Sequence, residues 1–262
     1  MLNTNEMETY NSPLISVVVA SFNKEKMVMK SLRSIQNQSL KNIEIIIVDD
    51  CSTDNSYKYY NYLLKTDSRI RIFYHLENMG VWRTRLDGFL YSKGNYIIHF
   101  DGGDLYEDNY VLEDAYNIAE KNHLDSVKMT FRILNNYSNW DTYKLPFILK
   151  RNYSKIIYNS KNILRYNSKI CGNYTNIWNR LIRSDIVLKG LNLLNSYILN
   201  IYKNLWEDIW WNRIVDKVSY NYAIINRFSY LYFKDGTGEG TFKIQTEVQK
   251  DRMIQEFIKR IK

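Results

Sequence analysis

The sequence predicts an α/β protein built on a mostly parallel, doubly wound sheet flanked by helices. Three observations carry that prediction. Leu14–Ala20 (LISVVVA) and Ile43–Val48 (IEIIIV) are short, β-branched and continuously apolar, as parallel strands covered on both faces are. Segments of helical length and spacing separate the strand-like runs. Four strand–helix units then fit into roughly the first hundred residues, the alternation that builds a parallel sheet.

Each element has its own signal. The first run ends in Ser21-Phe22-Asn23, and Lys24–Gln38 follows with Met27, Leu32 and Ile35 on one helical face. The second run ends in Asp49-Asp50, with Ser52, Thr53 and Asp54 as N-cap candidates for the next helix. Ile70–His75 (IRIFYH) alternates, as a strand near a sheet edge would. Gly80–Ser92 reads as a helix. It leads into Tyr96–Phe100 (YIIHF), a buried strand punctuated by Gly94 before it and Gly102-Gly103 after it.

That last strand organises the chain. Its carboxyl end carries Asp101, two glycines and Asp104. In open α/β sheets, ligands bind in the crevice outside the carboxyl ends of the strands. Paired acids there suit a hard cation or the hydroxyls of a nucleotide sugar. An acidic turn that caps the next segment is the plainer alternative. Strands one and two also end in polar groups, Phe22-Asn23 and Asp49-Asp50, so parallel pairing gathers all three ends on one edge.

Composition bounds the partners. With 262 residues and 45% apolar content the chain can bury a full core, and two prolines and ten glycines leave no room for a long flexible linker. Cys51 and Cys171 form no metal or disulfide pattern, which predicts a reducing, cytoplasmic setting. The polar start MLNTNEMETYN lacks a signal-peptide core, and no apolar run approaches the ~18 residues of a membrane span. The net charge of +8 asks for an anionic partner. Its lysines are scattered and no arginine-rich tract or nucleic-acid motif occurs, so nucleic acid is the weaker candidate beside a phosphorylated small molecule.

The blocks ISVVVASFN, IEIIIVDDCSTDNS and ENMGVWRTRLDGFLYSKGNYIIHFDGGD, taken in this order, resemble the amino-terminal half of the family 2 inverting glycosyltransferases. The likeness continues more weakly through IWNRLIRSDIV and NLWEDIWWNRIV, covering residues 13 to about 233. It implies a GT-A-type, Rossmann-like sheet with a mostly helical carboxyl-terminal acceptor lobe. The expected organisation is an arm over 1–12, a nucleotide-sugar half over 13–104, an acceptor and catalytic half over 105–240, and an amphipathic helix over 241–262.

The resemblance also implies roles. Phe22 would lie against uracil or another base, with Ser21 and Asn23 shaping the pocket floor. Asp50 would accept hydrogen bonds from the base or ribose, and Arg85 would meet the diphosphate. Asp101, Gly102, Gly103 and Asp104 would sit beside the ribose and diphosphate, with Asp101 and Asp104 as ligands to Mn²⁺ or Mg²⁺. The chain departs from the family at telling places. The pattern Asp-x-Asp-Asp has lost its middle acid, the usual metal ligand, to Gly103. The Arg-Asn pair is Arg85-Leu86, the proline ending strand one is Ala20, and no histidine follows His123.

The other chemistry falls in the carboxyl half. Trp206-Glu207-Asp208-Ile209-Trp210-Trp211 opens a helix-like segment. Adjacent helical residues face roughly 100° apart, so Glu207 and Asp208 do not share a role. The resemblance implies Asp208 as catalytic base and Glu207 as a holder of the acceptor hydroxyl, whereas stabilisation of the helix start by acids is the alternative. Among many aromatics, Trp178 and Trp211 are candidates for an acceptor groove, and core filling competes with that assignment. Lys234–Lys243 (KDGTGEGTFK) suits a glycine-rich lid over the diphosphate, with Lys234 toward it, and a plain surface loop is the alternative. The basic tail is either a helix packed on the domain or one lying on an anionic membrane. The expected activity is inverting transfer from a UDP-sugar to a hydroxyl, in glycan synthesis. A catalytically silent sugar-nucleotide binder and a nucleic-acid-binding α/β protein are the rival readings.

Overall fold

The computed structural model describes residues 12–134, 155–159, 176–194 and 207–233. Four parallel strands open the fold: β1 (Ile15–Ser21), β2 (Ile43–Asp49), β3 (Ile70–Tyr74) and β4 (Tyr96–Asp101). They lie in the order β3-β2-β1-β4, so the alternating strand is at the edge, as its pattern implied. All seven residues of β1 and of β2 are buried, the result expected for continuous apolar runs.

Helices cover both faces. Odd-numbered β1 residues Ile15, Val17 and Val19 share one core with α1 (Val28–Gln36), α2 (Ser56–Thr66) and α4 (Val111–Lys121). Val18 turns to a second core with α3 (Val81–Leu90), α5 (Ser184–Leu191) and α6 (Glu207–Val218). This is the period of two that sends successive strand residues to opposite faces. The α3 backbone comes close to the sheet: a Cβ on Gly88 would meet Val18 Cγ1 at 2.2 Å.

The second half extends the same sheet. Beyond β4 come β8 (Arg180–Arg183), β6 (Ser126–Leu134), β9 (Asn221–Phe233) and β5 (Leu105–Tyr106), while β7 (Lys155–Asn159) pairs with β9. Among the described residues this half is therefore a mixture of strands and helices rather than mostly helical. The β-rich run NYAIINRFSYLYF carries the difference, because it pairs in turn with β6, β7 and β5. The arm up to residue 11 and the helix expected over 241–262 lie outside the described residues, as does Lys234. Among the described residues no helix is long and apolar enough to cross a membrane.

Candidate active site

Register fixes the site's location. Ser21 pairs with Asp49 and Ala20 with Asp101, so the carboxyl ends of β1, β2 and β4 stand side by side. The chain leaving β1 is held against the chain leaving β2. Asn23 is left-handed at φ 51°, its N–H donates to Ser52 Oγ (2.8 Å) and its Oδ1 accepts from Thr53 N–H (2.8 Å). Ser52 and Thr53 are thus spent on this clamp. Asp54 alone of the three N-cap candidates serves the helix start, accepting from Ser56 N–H at 2.9 Å. Ser21 is buried, 2.7 Å from the Tyr60 hydroxyl and close against Gly102, so it packs the floor. Phe22 is half-buried and Asn23 exposed, both at the crevice.

Asp50 holds a different post from the one expected. It is only 4% exposed, and its carboxylate accepts from Met79 N–H (2.7 Å) and Gly80 N–H (2.8 Å). His75 Nδ1 lies 2.7 Å from the same carboxylate, and His75 Nε2 lies 3.1 Å from Asp87. With its oxygens turned to these donors, Asp50 organises the loop into α3 instead of facing a base or ribose. Gly80 sits there at φ 85°, in the left-handed region that favours glycine.

Arg85 is also placed otherwise than expected. Burial leaves its side chain 2% exposed, beneath the site rather than open to a diphosphate. Its Nη2 donates to Asp101 Oδ1 (2.8 Å) and its Nη1 to Asp208 Oδ1 (2.6 Å). One guanidinium from α3 thereby joins the acid ending β4 to the acid beginning α6. Both carboxylates keep an open side, with Asp101 31% and Asp208 22% exposed. The α6 helix is held in turn by Arg180, which donates to Asn212 Oδ1 (3.0 Å), pairs with Asp216 (2.8 Å) and reaches Ser126 Oγ on β6. The side chain of Glu207 lies outside the description.

Asp104 faces inward. It is 3% exposed and accepts from Phe233 N–H at 3.0 Å, while the Tyr230 hydroxyl accepts from Asp101 N–H at 2.9 Å and also bonds Asp104. Burial first, and the Asp101 charge second, push the Asp104 carboxyl well above the ordinary range. Tyr230 and Arg180 were not singled out in the sequence. Alternation in β9 and the arginine that opens the strand-like RLIR were the only signals for them.

The two tryptophans expected to line an acceptor groove are core residues. Trp178 is buried and stacks on Tyr230 (4.1 Å between centroids) and Tyr232 (5.7 Å), with Phe131 against its edge. Trp211 is fully buried against Trp82 and His99. Neither ring has a free face for a sugar. His99 itself, on β4, is fully buried, and burial then the Arg85 charge hold its imidazole well below its ordinary value, hence neutral.

The residues present do not fit a protein-made divalent-cation site. Gly103 supplies no ligand, Asp104 turns to Phe233 and Tyr230, and Asp101 already shares an oxygen with Arg85. Among the described residues no three acidic, histidine or cysteine side chains converge. Asp101 and Asp104, expected as paired metal ligands, do not present two open carboxylates side by side.

A mixed sheet with helices on both faces, and acids gathered at the ends of its parallel strands, defines an α/β protein of the GT-A class. A crystal structure of Staphylococcus aureus TarS (residues 1–349) in complex with UDP-GlcNAc shares this fold, with a TM-score of 0.66 and 16% identity over 94% of this chain and 72% of that one. The chain belongs to glycosyl transferase family 2, whose profile matches residues 16–180. It is 34% identical over 130 residues to glycosyltransferase GlyG of Streptococcus pneumoniae serotype 4, covering 50% of this chain and 41% of that protein. It is 29% identical over 182 residues to cholesterol galactosyltransferase of Borreliella burgdorferi, covering 67% and 49%. The chain thus spans about half or less of the length of these curated relatives.

Proposed function

We propose that the protein transfers a sugar from a nucleoside diphosphate donor, a UDP-sugar, to a hydroxyl acceptor with inversion. One observation carries the reading: Arg85 ties Asp101, at the strand edge where a donor would lie, to Asp208, at the start of α6. Asp208 is the base. Its partly exposed carboxylate takes the acceptor hydroxyl's proton as the acceptor oxygen attacks the anomeric carbon, and the bond from that carbon to the diphosphate breaks with its electron pair leaving on the diphosphate. Arg85 holds the base in place, so it is a positioning residue. In this reading Phe22 and Asn23, at the mouth between β1 and β2, meet the nucleobase.

The choice of donor is supported by the UDP-GlcNAc bound to TarS, which shares the fold. The acceptor is a glycan hydroxyl in our reading, and the name of the Borreliella relative keeps a sterol hydroxyl in view. A second reading, a sugar-nucleotide binder without transfer, is favoured by Gly103 and the inward Asp104. Asp208→Asn separates the two. It keeps shape and hydrogen bonds but takes no proton, so transfer falls by about 10² or more while calorimetric UDP affinity is retained. Transfer at the wild-type rate would move the base elsewhere. Binding of UDP-sugar with neither transfer nor hydrolysis by the wild type would establish the second reading.

A further inference from the structure

We propose that Lys24 is the residue that receives the donor's diphosphate, supplying from the loop after β1 the positive charge that the Gly102-Gly103 turn does not gather as a metal. The inference rests on the glycosyl-transfer reading above. A nucleoside diphosphate brings at least two negative charges to an edge that already holds Asp101 and Asp104. Some cation must answer them. Arg85 is beneath the edge and engaged by two carboxylates, so its charge is largely spoken for.

Lys24 is built into the edge. Its backbone is held from both sides: its N–H donates to Ser56 Oγ (3.1 Å), and its carbonyl accepts from Met27 N–H (2.9 Å) and Val28 N–H (2.8 Å). The left-handed Asn23 immediately before it sets the direction of the turn. The side chain is half-buried and its stem runs along the glycine turn: a Cβ on Gly103 would lie 3.7 Å from both Cδ and Cε. A side chain at 103 would therefore lie directly against the lysine stem. The Lys24 charge favours the ionised form of Asp104, against the burial and the Asp101 charge that oppose it. A flexible stem ending in three donors suits a diphosphate, which offers oxygens over a broad arc.

The test is calorimetric titration of the full chain with UDP and, separately, with uridine, in EDTA and in Mn²⁺. The wild type is expected to bind UDP in EDTA. Lys24→Met, which keeps the stem and therefore the packing, should lower UDP affinity about tenfold or more in EDTA and leave uridine affinity within about twofold. Lys24→Arg should restore most of the loss. Gly103→Asp places a carboxylate beside the lysine stem at ordinary contact distance, so it should weaken UDP binding in EDTA and make it recover with Mn²⁺. Unchanged UDP affinity in a folded Lys24→Met protein would overturn the assignment, as would an equal loss for UDP and uridine. A wild type that binds no nucleoside diphosphate at all would remove the parent reading, a distinguishable result that takes this one with it.

Discussion

Replacing Asp50 by alanine offers a clean contest between a ligand-binding acid and a loop-organising one. The carboxylate accepts from two backbone N–H groups and faces one histidine nitrogen, at 2.7–2.8 Å, in a place 4% exposed. Each donor stranded away from water costs about 1–3 kcal/mol, and water entering the vacated volume recovers part of that. A total loss of about 3–5 kcal/mol follows, a large share of the ~5–15 kcal/mol that holds a domain folded. Asp50→Asn should lose less, because its amide oxygen still accepts one N–H while its amino group opposes another. Urea denaturation followed by circular dichroism reads the change as a lower midpoint at constant slope. Uridine affinity, measured where the variant is still folded, should fall only as far as the loop into α3 loosens. The reasoning fails if Asp50→Ala keeps wild-type stability and loses nucleotide affinity, since the acid would then be serving the ligand.

Arg85→Met should destabilise by about 2–4 kcal/mol, below the ~3–5 of a fully buried pair because Asp101 and Asp208 are partly solvated, and should abolish transfer; thermal unfolding and a transfer assay check both. Gly94→Ala should cost about 1–3 kcal/mol or more, because its Cβ would sit 2.5 Å from the backbone nitrogen of Ser16, which cannot move aside. Acid should weaken the fold through Asp67, whose hydrogen bonds from Arg69 hold its pKa at about 2 against an ordinary 3.8. A depressed carboxylate stabilises above its unfolded value, so this contribution, about 1 kcal/mol once solvent screening is allowed for, is nearly complete by about pH 5 and drains away as the pH falls towards 2. In Asp67→Asn that part of the acid slope should vanish, and an unaltered slope would count against the pairing.

The parallel half was legible because local and tertiary signals agree in it. LISVVVA and IEIIIV have only one way to bury both faces, and four such units in succession leave little choice of topology. The edge position of IRIFYH followed from its alternation. The convergence of strand ends was legible for the same reason, since parallel pairing dictates it. What the residues on that edge do was harder to read. Asp50 and Arg85 are the residue types that bind nucleotides, and they are equally the types that hold a buried loop or bridge two acids; only partners far along the chain decide. Arg85 finds Asp208 at a separation of 123 residues, and Asp104 finds Phe233 N–H at 129. Trp178 and Trp211 failed for a related reason. An aromatic side chain has the same appearance in sequence whether its face meets a sugar or Tyr230.

The long strand β9 has a kinetic consequence. Through Tyr230 and Phe233 it binds the backbone of Asp101 and the carboxylate of Asp104, so the glycine turn completes its native hydrogen bonds only when residues 221–233 dock. Contacts closed over so long a loop form late and slowly relative to local ones. The four parallel strands can assemble first from neighbouring segments, with the turn at their edge still loose. The ability to bind a donor should therefore appear as a later phase of refolding than the secondary structure, set by the arrival of β9.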